Sequence, residues 1–91
     1  MNSKSKWEIF FKPRASDEFK ALSEIVQKRI AEKMRFFVLT EHLLKFAKPL
    51  KDKKLGDFRF RVGDYRIIFS IIHGGKKIVV LKIGKRDAVY K

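Results

Sequence analysis

Arg59, Arg61 and Arg66 alternate with apolar residues in the run Phe58-Arg59-Phe60-Arg61-Val62-Gly63-Asp64-Tyr65-Arg66-Ile67-Ile68-Phe69. Guanidinium groups set out this way can hold an anion, because each presents a planar fork of N–H donors that fits two phosphate oxygens. Gly63-Asp64 is a favoured two-residue hairpin connection, and it sets Val62 opposite Tyr65, Arg61 opposite Arg66 and Phe60 opposite Ile67. Phe58, Phe60, Val62, Tyr65, Ile67 and Phe69 then share one face, and the three arginines share the other. Like charges facing each other across a ladder repel, so a phosphate between Arg61 and Arg66 would stabilise the pair. The alternative needs no ligand: the arginines are the wet side of a half-buried antiparallel sheet.

Composition bears on that choice. Lys and Arg number 23 against 10 Asp and Glu, a formal charge of +13 on 91 residues with a pI near 10.3. Such a balance points to a polyanion, an acidic protein partner, or both. No apolar run is long enough to span a bilayer and no long basic amphipathic helix is evident, so a membrane partner is not expected. The absence of cysteine excludes a disulfide framework and thiolate chemistry, and fits a cytoplasmic location. His42 and His73 do not form a ligand cluster, and neither a metal nor another cofactor is expected. Residues 1–91 read as one domain, and the polar, basic start lacks the apolar core of a signal peptide.

The elements that must position the arginines can be read in order. Trp7 to Phe11 is aromatic and β-branched and reads as a short first strand. Pro13 suits a loop or first helical turn, Ser16 can cap, and the apolar stripe Phe19, Leu22, Ile25, Val26, Ile30, Met34, Phe37 follows. Ser23 as a second cap divides this stretch into a short helix and a longer one, whose charged face from Gln27 to Arg35 reads as solvated. Leu39, Leu43, Leu44 and Phe46 extend that helix or form a separate short one, capped by Thr40 and stopped by Pro49. Lys51, Lys53 and Lys54 lie in the loop before Gly56, where flexible ammonium groups suit phosphate contacts.

Ile78 to Gly84 reads as the last strand. A three-residue loop Gly74-Gly75-Lys76 sets His73 opposite Lys77, places Val79, Leu81 and Ile83 on the core face, and puts Gly84 opposite Arg66. A two-residue loop would bury Lys82, which its charge opposes. Lys82 therefore joins the arginine face, and Arg86 follows beside the Arg61 and Arg66 row.

At this point the chain resembles the RelE toxins of the RelE/ParE superfamily over nearly its whole length. The resemblance is carried by Phe19-Lys20-Ala21-Leu22, Gln27-Lys28-Arg29-Ile30, Leu50-Lys51, the Phe58 to Phe69 hairpin and Ile83-Gly84-Lys85-Arg86-Asp87-Ala88-Val89-Tyr90. It implies an α+β fold, β-α-α-β-β-β, with a helical hairpin packed on an antiparallel sheet. It also implies a toxin that cuts mRNA in the ribosomal A site and is held inactive by a RelB-like antitoxin. Catalytic positions carried over are Arg61, Arg66, Arg86 and Tyr90, with Arg59 and Lys51 beside them; Lys53, Lys54, Lys82 and Lys85 complete the RNA-binding set. Many relatives carry His where this chain has Lys85, so no histidine role is assigned there. No helix is expected after Tyr90.

The chemistry fits those residue types. Attack of a ribose 2′-hydroxyl on its phosphate needs a base, a clamp for the developing charge, and a proton or cation for the leaving 5′-oxygen. Arg61 and Arg66 are the clamp, and Arg86 stabilises the leaving group electrostatically, since arginine holds its proton tightly. Cations around a tyrosine hydroxyl favour the phenolate, which makes Tyr90 the candidate base; otherwise it is an aromatic that packs or stacks on a nucleobase. Two other functions stay open: a ParE-like inhibitor of DNA gyrase, and a basic RNA-binding protein without catalysis.

Overall fold

The computed structural model describes residues 7–40, 43–72, 74 and 76–89. Strand β1 (Glu8–Phe11) leads into helix α1 (Pro13–Lys20) and helix α2 (Glu24–Leu39). A 3-10 turn (Leu43–Lys45) precedes β2 (Ala47–Pro49), β3 (Phe58–Val62), β4 (Tyr65–Ile72), β5 (Lys77–Lys85) and the single helical turn α3 (Arg86–Val89).

Helix boundaries follow local chemistry. Pro13 opens α1, where its missing N–H costs nothing; Ser16 lies inside the helix, donating its own N–H to the Lys12 carbonyl at 2.9 Å, and does not cap it. Ser23 caps α2 as expected, its hydroxyl accepting from the Val26 N–H at 3.3 Å. The Gln27 amide donates to the Lys20 and Leu22 carbonyls, closing the end of α1 against the start of α2. Ile30, Met34, Phe37 and Val38 form the buried stripe of α2. Ile25 leaves that stripe and is 72% exposed, because it sits about 100° around the helix from Val26.

The five strands form one sheet in the order β1-β5-β4-β3-β2. Two departures from the expected sheet stand out. First, it is mixed: β1 runs parallel to β5, while the other neighbours are antiparallel. The chain between these two edge-side strands is long enough for a parallel partner, which a tight hairpin never allows. Second, Ala47–Pro49 pairs with Phe58–Phe60 as an extra edge strand, so Pro49 ends a strand where a helix stop was expected. Proline is tolerated there because an edge strand leaves one row of donors unused.

The β3–β4 register is the expected one, Arg61 opposite Arg66 included. Gly63 adopts φ +60 and Asp64 does not enter the positive-φ region, the pattern of a turn that needs glycine first. The β4–β5 register reaches the expected end by another route. Ile72 pairs with Lys77, so residues 73–76 form a four-residue connection, one longer than the loop read from the sequence. A bulge absorbs the offset: Phe69 pairs with Val80 and Ile68 with Lys82, leaving Leu81 as the extra residue. Beyond it Arg66 meets Gly84 as expected. Ile78, Val80 and Ile83 therefore face the helices, whereas Val79 and Leu81 do not.

Hydrophobic packing lies on both faces. Under the helices, Phe37 stacks on Phe60 with centroids 3.9 Å apart, and Phe60 on Phe69 at 4.3 Å. On the opposite face a smaller cluster joins Leu50, Ile68 and Val89, with Leu55 and Leu81 against it. Past the end of β1, the open edge of β5 is closed by Glu18, whose carboxylate accepts from the Ile83 N–H at 2.9 Å. Among the described residues no helix is long and apolar enough to cross a membrane.

Candidate functional site

The face of the sheet away from the helices carries the basic residues in two rows. Cross-strand pairing aligns Lys48, Arg59, Ile68 and Lys82 in one, and Arg61, Arg66 and Gly84 in the next. Residues directly opposite have Cβ atoms about 4.5–5.5 Å apart, so the sheet brings Arg59, Arg61, Arg66 and Lys82 together as the alternation requires. Lys48 was missed by the sequence reading. Its only signal was its place next to apolar Ala47, in a segment too short and too close to Pro49 to read as a strand.

The arginines are not equivalent. Arg61 is exposed and Arg59 half-buried, but Arg66 is only 7% exposed. One terminal nitrogen of Arg66, Nη1, donates to the Gly63 and Tyr65 carbonyls, each at 3.3 Å, and its Nε has no hydrogen-bond partner. The sequence reading made Arg61 and Arg66 a matched pair of clamps. The structure instead folds Arg66 back onto the hairpin turn, where Nη1 reaches two carbonyls and Nε is left without an acceptor. A buried guanidinium donor without an acceptor is costly, and the desolvated charge favours an anion on the face above it.

Two segments flank the rows. Residues 50–57 carry Lys51, Lys53 and Lys54, all exposed. The Asp52 carboxylate accepts from the Lys54 N–H at 3.0 Å, an Asx turn that shapes the tip. Lys53 lies over the Phe58 ring at 5.8 Å. On the other flank, Lys85 ends β5 and Arg86 opens α3, both exposed. Buried Val89 fastens α3 to the sheet above Gly84, where a Cβ would stand 3.1 Å from Val89 Cγ1. Gly84→Ala is therefore expected to lift α3, costing about 1–3 kcal/mol, which a thermal melt against wild type measures. Tyr90, the candidate base, lies outside the described residues, as do His42 and His73.

Chemically the face offers an anion basic groups at three depths: exposed Arg61 and loop lysines, half-buried Arg59 and buried Arg66. Among the described residues, no three His, Cys, Asp or Glu side chains come together as a metal-ligand group.

Comparison with known proteins follows the same lines. The fold is similar to that of the toxin–antitoxin complex RelBE2 from Mycobacterium tuberculosis, with TM-score 0.74 and 25% identity, covering 89% of this chain and 99% of that one. An archaeal RelE–RelB complex from Pyrococcus horikoshii matches with TM-score 0.65 and 24% identity, over 89% of this chain and 96% of that one. A mutant E. coli toxin RelE in the free state matches with TM-score 0.70 and 21% identity, over 93% and 90% respectively. No curated protein matches the sequence. The family model for the ParE toxin of the type II toxin-antitoxin system parDE matches residues 9–90. The chain belongs to that toxin family, within the RelE/ParE superfamily.

Proposed function

We propose that this toxin is a ribosome-dependent endoribonuclease that cuts mRNA in the A site and so inhibits translation. The observation that carries the reading is the opposed pair Arg61 and Arg66, set beside the row of Arg59 and Lys82 and flanked by Arg86 and the lysine loop. The likeness to RelE structures supports it. In the reaction, Tyr90 takes the proton from a ribose 2′-hydroxyl and the 2′-oxygen bonds to the adjacent phosphorus. The bond to the 5′-oxygen breaks, leaving a 2′,3′-cyclic phosphate and a 5′-oxygen that takes a proton from water to become a hydroxyl. Arg61 holds a non-bridging oxygen, Arg66 lends its positive charge to the same phosphate from beneath the surface, and Arg86 stabilises charge on the departing 5′-oxygen. Arg59, Lys82, Lys85 and the lysines at 51, 53 and 54 position the RNA backbone without reading its bases.

A RelB-like antitoxin is the proposed regulator, since two of the similar structures are toxin–antitoxin complexes. The +13 charge calls for carboxylates on that partner. Action on translating ribosomes places the chain in the cytoplasm.

The test adds purified toxin to ribosomes programmed with end-labelled mRNA, beside ribosome-free mRNA, Arg86→Ala and Tyr90→Phe. Cuts within the A-site codon that end in cyclic phosphate and fall by about 10²–10³-fold in either variant are the expected result. A second reading, inhibition of DNA gyrase, is favoured by the ParE family model. Intact mRNA together with loss of supercoiling activity in a gyrase assay would establish it in place of the first. RNA binding without cleavage, unchanged in Tyr90→Phe, would leave a non-catalytic binder.

A further inference from the structure

The connection between β2 and β3 is longer than a hairpin needs. Pro49 and Phe58 are paired, yet residues 50–57 separate them. This segment crosses the basic face: the Leu50 N–H donates to the Asp57 carbonyl at 2.9 Å, and the Asp57 N–H to Phe69 O at 3.1 Å on β4. Leu50 and Leu55 settle against Ile68, the residue two along from Arg66 on the same face. The loop is thus tied down about 7 Å from the arginine row.

Gly56 is what permits so close an approach. Its φ is +149, a conformation L side chains rarely adopt. A Cβ there would lie 2.7 Å from Ile68 Cγ2 and 3.1 Å from Leu81 Cδ1. Leu81 is the bulged residue of β5, so the bulge and the glycine meet at one point. Ile68 is fully buried and has little room to yield, so a side chain at position 56 is expected to lift the loop, and Lys51, Lys53 and Lys54 with it.

We propose that Gly56 is a positioning residue that sets the three lysines at the height where one RNA backbone spans them and the Arg61–Arg66 row. The proposal rests on the RNA-cleaving reading, and its test includes a binding arm that does not. Four proteins are compared: wild type, Gly56→Ala, Lys51, Lys53 and Lys54 each→Ala, and the two sets combined. Leu55→Ala, which loosens the same anchor without backbone strain, is the second variant should Gly56→Ala not fold.

Each is assayed for ribosome-dependent cleavage and for binding of a fluorescein-labelled single-stranded RNA oligonucleotide over a salt series. Gly56→Ala is expected to raise KM and Kd about tenfold, leave kcat within about twofold, and flatten the salt slope by up to about 2, as losing three phosphate contacts would. The combined protein is expected to be no worse than the lysine variant, because the glycine acts through those side chains. Effects that multiply, a fall in kcat with KM unchanged, wild-type binding by Gly56→Ala or Leu55→Ala, or no binding by wild type would each overturn the proposal. Binding without cleavage that still shows the Gly56 signature overturns the nuclease reading alone.

Discussion

Arg66→Met is expected to melt at or above the wild-type temperature and yet to lose mRNA cleavage by about 10²–10³-fold, the usual cost of removing one preorganised charge from a reacting phosphate. The two halves of that result have one cause. Arg66 is 7% exposed, its Nε is unpaired, and its Nη1 makes only two long bonds to the Gly63 and Tyr65 carbonyls. Removing a cation from water in this way costs more than those bonds return, whereas methionine fills a similar volume without the desolvation penalty. The carbonyls it leaves belong to a surface turn, where water can replace the guanidinium. Arg66→Lys separates charge from geometry: the ammonium keeps the positive field but not the fork, so cleavage should fall between the two. Single-turnover cleavage and a thermal melt on the same preparations decide the matter. A large loss of stability in Arg66→Met with cleavage intact would make Arg66 a structural brace of the turn and nothing more.

Phe60→Ala is expected to cost about 3–5 kcal/mol, a large share of the roughly 5–14 kcal/mol that a chain of this length holds in total. Phe60 is fully buried between Phe37 of α2 and Phe69 of β4, with interplanar angles of 14° and 18°. It joins the helical layer to the middle of the sheet ring on ring, and the stack closes poorly around a missing member. Phe60 also sits between Arg59 and Arg61 on β3, so its loss should unseat the arginines before the chain unfolds. Urea unfolding reports the first effect, and cleavage measured below the transition reports the second. Phe36→Ala is the control: that ring is 50% exposed and edge-on to Phe46, and its removal should cost about 1 kcal/mol or less. Equal losses in the two variants would mean that the Phe37–Phe60–Phe69 stack is not the anchor of the fold.

Local pattern determined what local physics controls. The alternation from Phe58 to Phe69 and the Gly63-Asp64 turn are enough to pair Arg61 with Arg66, because a strand's period of two and a two-residue turn leave one register. The Ser23 cap, the break between α1 and α2, and the buried stripe of Ile30, Met34 and Phe37 were equally legible, each set by contacts within a few residues. Elsewhere the pattern was silent. Ile78-Val79-Val80-Leu81 is apolar throughout, so alternation could not say which side faced the helices, and the loop length used to decide it put Val79 and Leu81 there wrongly. Tertiary structure chose Ile78 and Val80, and the bulge at Leu81 then returned Lys82 and Gly84 to the basic face. The parallel pairing of β1 with β5 and the short strand holding Lys48 depend on partners far away in the chain. So do the burial of Arg66 and the descent of Gly56 onto Ile68. Which residues carry charge was written in the chain; how deep each charge sits was decided by packing, because burial depends on neighbours that only the folded chain brings together.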